Sequence, residues 1–172
     1  MSTALSDYLE SGLLHHVFKG QVFIKPDEIA IALCSGVPID SDTGGTIPEL
    51  PSGINGSGTG YSRISLGDPS TAGRTAWIFE QESGDYGSGV IKNSGSIVFE
   101  KALLDWGFVS GIAITDHSGY GSGNLLMHSQ LTNPRIVFKG DAVKFDVTNL
   151  KITINANPKP RQKYNVFSDT AA

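Results

Sequence analysis

The chain changes its hydrophobic periodicity near Gly20, and this change constrains the fold more than any other feature of the sequence. Before Gly20, apolar residues recur every three or four positions, as one face of an α-helix requires. After Gly20, the apolar residues come in short runs, each followed by Gly, Pro, Asn or Ser, which is typical of strands joined by turns. The sequence therefore predicts one helix followed by a body made of strands.

The predicted helix covers about residues 4–19, within an N-terminal segment 1–20. Ser2 or Ser6 can cap its first turn, since a serine hydroxyl accepts a hydrogen bond from an unpaired backbone N–H there. Gly20 suits the position just after the last turn, where the backbone often turns left-handed. We expect the helix to pack on the body through one apolar face, formed by Leu5, Leu9, Leu13 and Val17.

The predicted body, residues 21–154, contains strand candidates at fairly even spacing. About eight short strands of this kind favour a β-sandwich or a jelly roll, and a barrel is the alternative. We therefore assign the chain to the mainly β class, with an N-terminal helix before a sandwich-like or jelly-roll-like body. The strand candidates are residues 28–34, 61–66, 75–79, 91–92, 96–99, 106–115, 125–131, 136–138, 142–145 and 151–154.

Two segments fit neither pattern. Residues 35–60 are rich in glycine and proline and are too long for an ordinary connection, so we expect them to be mobile or to pack on a neighbouring chain. Residues 155–172 contain Pro158 and Pro160, which favour an extended tail. We expect this tail to bind a partner through three apolar anchors and two cations, which are Tyr164, Val166, Phe167, Arg161 and Lys163.

Composition narrows the choice of partners. A chain of 172 residues with 39% hydrophobic residues can fold as one domain with a real core. Its net charge of −4 argues against nucleic-acid binding, and no apolar stretch approaches the roughly 20 residues that span a bilayer. Only 17% of residues are charged, so the surface suits burial against neighbours. We therefore expect other copies of the chain as partners, with a trimer favoured, and expect synthesis in a reducing cytoplasm.

The search for reactive chemistry predicts no catalytic residue, no cofactor and no metal. No serine lies in a nucleophile-elbow motif, and no phosphate-binding glycine loop is present. His117 and His128 could meet across a hairpin, but two histidines do not complete a zinc site. Asp40 and Asp42 begin a loop like a calcium loop, which lacks the later acidic ligands. We interpret Cys34 as a small core residue and the chain as a non-enzyme.

Several short motifs follow one another in a recognisable order over roughly residues 6–154. They are Tyr8-Leu9-Glu10, Leu13-Leu14-His15-His16-Val17-Phe18, Glu28-Ile29-Ala30-Ile31-Ala32-Leu33, Gly60-Tyr61-Ser62-Arg63, Trp106-Gly107-Phe108-Val109, Gly123-Asn124-Leu125-Leu126-Met127-His128 and Gly140-Asp141-Ala142-Val143-Lys144-Phe145. This ordered set resembles a family of small tailed-bacteriophage virion proteins, which are commonly labelled tail-fibre proteins.

The resemblance implies a structural protein located in the virion. We favour a capsid decoration, or cement, protein that contacts the major capsid protein or other virion proteins, because residues 35–60 and 155–172 are of the kind that pack on neighbours. A tail or tail-fibre component involved in host adhesion is the alternative, although a fibre shaft predicts long repeats that this chain lacks. A lysis or sugar-modifying enzyme is a third hypothesis, which the absence of a reactive cluster disfavours.

Overall fold

The computed structural model describes residues 3–50, 58–79 and 90–153. In these ranges the chain is mainly β, as the sequence predicts, with one α-helix, one 3-10 helix and ten strands. The elements in chain order are β1 Thr3–Leu5, α1 Asp7–Lys19, β2 Ala30–Cys34, β3 Ile64–Ser65, η1 Ala72–Ala76, β4 Trp77–Phe79, β5 Val90–Asn93, β6 Ile97–Val98, β7 Gly107–Thr115, β8 Leu125–Val137, β9 Lys144–Phe145 and β10 Lys151–Thr153.

The helix starts three residues later than predicted because the chain before it forms β1, which pairs with β8. Ser6 is the N-cap: its backbone is extended and its Oγ accepts a hydrogen bond from the N–H of Leu9 at 3.3 Å. The Ser6 hydroxyl also donates to the carbonyl of Leu125, which ties the start of the helix to β8. Gly20 ends the helix at φ 65°, as expected.

The predicted packing face of the helix is mostly wrong. Leu9 packs against the core, but Leu13 is 39% exposed and Val17 is 67% exposed, and α1 contains no buried residue. The chain that returns after the helix packs on another side of it, where the Phe23 ring contacts Tyr8 and lies close to Gly12.

Three antiparallel sheets share one core. The largest sheet has the order β1-β8-β7-β2-β3, and the others are β10-β5-β4 and the pair β6-β9. Each sheet contributes side chains to the same hydrophobic cluster, as the layers of a sandwich do. Representative members are Ile31, Ile112, Ile97, Phe145 and Ile152.

The hairpin β7–β8 corrects two expectations. The strand candidates 125–131 and 136–138 form one strand, because residues 131–134 bulge out between the register pairs Gly111–Gln130 and Val109–Arg135. The parity of a regular strand would place Trp106 and Phe108 on one face, but Trp106 is buried and Phe108 is 50% exposed. Gly107 separates them at φ 85°, which breaks the alternation of the strand.

Residues 35–50, which were expected to be mobile or to pack on a neighbouring chain, pack in part on their own chain. Ile47 joins Ala32, Cys34, Ala113 and Leu125 in a second cluster on the far face of the large sheet. The Leu50 N–H donates to the Leu33 carbonyl at 3.0 Å, which continues the sheet contacts into the loop. Residues 51–57 lie outside the described ranges.

Candidate assembly surface

The buried side chain of Arg63 connects the loops at one end of the large sheet. Its Nε and Nη2 donate to the two carboxylate oxygens of Glu49 at 2.8 and 2.7 Å. Its remaining N–H groups reach Thr115 Oγ1 and the carbonyls of Gly44, His117 and Ser122. Both charged side chains are almost fully buried. Their hydrogen bonds hold together three loops: the one that contains Arg63, the one that contains Gly44 and Glu49, and the one that contains His117 and Ser122.

The same cluster carries no sign of reactive chemistry. Tyr61 donates its hydroxyl to Glu49 Oε1 at 3.0 Å, and burial together with the Glu49 charge raises the pKa of Tyr61 well above its ordinary value. The Tyr61 phenol with its raised pKa keeps its proton near neutral pH, and the Glu49 carboxylate is engaged by the Arg63 guanidinium. The Gly60-Tyr61-Ser62-Arg63 motif therefore has a structural explanation.

Of the four residues considered for metal binding, the structure brings His128 and Asp40 together, whereas His117 and Asp42 bond to other groups. His128 Nε2 lies 2.9 Å from Asp40 Oδ1, whereas His117 Nδ1 accepts a hydrogen bond from the Gly119 N–H. Asp42 accepts from the Ile39 N–H and the Thr46 hydroxyl, as a polar turn does. Among the residues that the structure describes, no group of three metal-binding side chains comes together.

Cys34 is fully buried, as expected for a small core residue. Burial, followed by the nearby Glu49 charge, raises the pKa of the Cys34 thiol above its ordinary value. The thiolate, which is the reactive form, is therefore disfavoured at neutral pH.

An exposed apolar surface lies at the end of α1 and is a candidate for contact with another molecule. Six large apolar side chains lie within twelve residues there, and Phe18 alone is 76% exposed. We call this surface the helix-end patch; it consists of Leu13, Leu14, Val17, Phe18, Val22 and Ile24. Single exposed apolar residues are ordinary, but six of them within twelve residues are unusual for a protein surface.

A second exposed apolar surface lies on the hairpin β7–β8. Phe108 and Ile136 are cross-strand partners and both are half-exposed, with Phe138 and Leu104 near them in the chain. We call these four residues the hairpin patch. The patch and the helix occupy different parts of β8, since α1 starts beside Leu125 and Leu126 at the opposite end of that strand.

An apolar groove opens between the large sheet and the three-stranded sheet. It has a volume of about 400 Å³, and its walls carry almost no polar surface. Its lining comes from α1, the chain that follows it, and strands of both sheets: Leu9, Phe23, Pro26, Ile29, Pro69, Trp77, Phe79, Ile91, Ile114, Leu126, Met127 and Ile152.

A polar cleft adjoins this groove and shares Phe23, Pro26 and Leu126 with it. Four carboxylates line the cleft, from Asp27, Glu28, Asp68 and Asp116, against the single lysine Lys25 and His117. The cleft is therefore negatively charged at neutral pH.

The five interface residues predicted from the sequence, Tyr164, Val166, Phe167, Arg161 and Lys163, lie outside the described residues. The structure instead brings forward surfaces that sequence reasoning missed. The helical periodicity included Leu13 and Val17, but it could not say whether the body or another molecule covers them. Leu14 and Phe18, adjacent to that stripe, were the available signal, because they widen the apolar face beyond what one contact needs.

Comparison with known proteins gives the family. The family model described as Podophage GP4 fiber I protein gp80 matches residues 4–153, which takes in the helix, β2 to β10, all of β1 except Thr3, and both exposed patches. The comparison with curated proteins finds no match. No helix in the described part of the chain is long and apolar enough to cross a membrane. The chain belongs to the Podophage GP4 fiber I protein gp80 family, a family of phage virion structural proteins.

Proposed function

We propose that this protein is a component of the phage tail fibre and that it acts by assembling with other virion proteins, including further copies of itself. The observation that carries the proposal is the helix-end patch, a surface that no element of the protein's own described core covers. In this proposal the protein works through its surfaces and has no catalytic role.

A fibre component fits better than the capsid decoration protein favoured from the sequence. The sequence argument for decoration used residues 35–60 as a segment packed on neighbours, but residues 35–50 cover their own sheet. The family description names a fibre protein. A short chain without repeats can serve as a connecting or terminal module of a fibre, which removes the objection that it lacks a shaft.

The energetics favour burial of the helix-end patch. Burying one large apolar side chain stabilises an assembly by about 1.5–3 kcal/mol relative to leaving it in water. The patch offers six such side chains, so its burial can offset much of the cost of association.

The position of the protein on the particle tests the proposal directly. Cryo-electron microscopy of purified virions, with antibody fragments against this chain, should give density on the tail fibres. Density on the head shell would support capsid decoration and contradict the proposal.

A pair of variants tests the role of the patch. Leu14→Ser combined with Phe18→Ser should lower incorporation into particles at least tenfold, while the melting temperature stays within a few degrees, since neither side chain is buried. Lys19→Ser, at an exposed position about 100° around the same helix from Phe18, serves as the control and should incorporate normally. Normal incorporation of the double variant would contradict the patch as an assembly surface.

A further inference from the structure

We propose that the apolar groove and the adjoining acidic cleft form a receptor for the C-terminal tail of a neighbouring copy. In this arrangement Tyr164, Val166 and Phe167 enter the groove, and Arg161 and Lys163 lie against the cleft. The inference deepens the proposed function, because it names one contact by which copies of the chain join.

The groove has the shape and chemistry of a binding site for apolar side chains. It is concave, its volume of about 400 Å³ lies in the range of small ligand sites, and aromatic and branched side chains line it. Phe79 stands at its rim and is 67% exposed, although such a ring stabilises most when covered. Water in a groove of this kind gains few hydrogen bonds, so an apolar occupant displaces it at little cost.

The tail carries the complementary features in the matching order. Its large apolar residues fall within four positions, 164–167, and in an extended chain Tyr164 and Val166 point to the same side. The two cations immediately precede them. Because the cleft shares wall residues with the groove, an extended segment can place cations against Asp27, Glu28 and Asp68 while its aromatic residues fill the groove.

The path of the chain favours a neighbour's groove over its own. Ile152 lines the groove, and the described chain ends one residue later at Thr153. A tail that returned to the same groove would have to reverse direction before residue 164. Pro158 and Pro160 oppose this, since each fixes φ and favours an extended residue before it. Ten extended residues, 154–163, reach roughly 33–36 Å, which is far enough to reach an adjacent molecule.

Disulfide trapping in the purified full-length protein tests the arrangement. The variant Phe79→Cys/Phe167→Cys places one thiol at the groove rim and one in the tail, and the native Cys34 is fully buried and does not compete. Under mild oxidation we expect covalently linked oligomers on a non-reducing gel, because the two thiols come from different chains. Val98→Cys/Phe167→Cys is the control, since Val98 is also exposed, at 51% against 67% for Phe79, but lies outside the groove lining.

A charge reversal tests the cleft. Adding Arg161→Glu and Lys163→Glu to the trapping variant should lower the yield of linked oligomers severalfold. Two outcomes would overturn the proposal: a disulfide formed only within one chain, or a yield no higher than that of the Val98 control. Either outcome would contradict the tail receptor without bearing on where the protein lies on the virion. Conversely, density on the head in cryo-electron microscopy would contradict the fibre assignment without bearing on the trapping result.

Discussion

At the scale of single residues, the stability of the fold depends strongly on Arg63. We expect Arg63→Leu to lower the free energy of unfolding by about 3–5 kcal/mol, because Glu49 would remain buried without its cation. Urea denaturation followed by circular dichroism measures the loss. Lys25→Leu is the matched control, since it removes a cation from an exposed pair with Asp68 and should cost far less. Equal losses in the two variants would contradict the structural role of the Arg63 network.

The exposed pair of Lys25 and Asp68 makes a separate prediction about pH. The hydrogen bond from Lys25, assisted by Ser70, lowers the pKa of Asp68 to about 2 from an ordinary value of 3.8. Because the folded pKa is the lower one, the pair contributes stability above pH 3.8 and loses that contribution as the pH falls towards 2. Lys25→Met should therefore raise the Asp68 pKa towards 3.8, as a carboxyl carbon NMR titration would show. An unchanged titration midpoint for Asp68 would mean that Lys25 does not lower the pKa of this carboxyl group.

At the scale of elements, the contact between two loops rests on a glycine. A Cβ at Gly44 would lie 2.0 Å from the Ser122 carbonyl oxygen, which is backbone and cannot rotate away. We expect Gly44→Ala to destabilise the fold by about 1–3 kcal/mol, as overpacking does. Gly95→Ala is the control, because a Cβ there meets nothing within 4 Å. Equal melting temperatures of the two variants would contradict the close contact between Gly44 and the Ser122 carbonyl.

Sequence reasoning located most elements but not what covers them. Periodicity gave α1 and the long apolar strands because local spacing encodes them, as for Ala30–Cys34. Periodicity failed for residues 35–50, because hydrogen bonds to distant residues stabilise their irregular backbone. The Gly44 N–H, for example, donates to the Gly123 carbonyl at 2.9 Å. Periodicity also missed β1, since Thr3–Leu5 becomes a strand only by pairing with residues 127–129 of β8.

At the scale of the whole molecule, the assembly surfaces could be predicted less well than the fold. Composition indicated a surface suited to neighbours, and the Gly60-Tyr61-Ser62-Arg63 segment carried part of the family resemblance. Neither signal pointed to the helix-end patch or to the groove, because both arise from how three sheets and a helix meet. The Arg63 contacts span 14 to 59 residues of sequence, so spacing alone could not reveal them.

The last prediction separates folding from assembly. The described core closes within residues 3–153, since Leu150 and Ile152 are buried and β10 completes the three-stranded sheet by pairing with β5. Truncation after Asn155 should therefore leave the melting temperature nearly unchanged.

The same truncation should weaken self-association, because it removes the anchors at Tyr164, Val166 and Phe167. We expect the full chain to form a homotrimer or a comparable cyclic oligomer. Native mass spectrometry of both proteins, with particle occupancy measured in parallel, tests this. If the truncated chain associates as strongly as the full chain, the helix-end patch is left as the surface that joins the copies. If truncation lowers the melting temperature strongly, the tail is part of the fold itself.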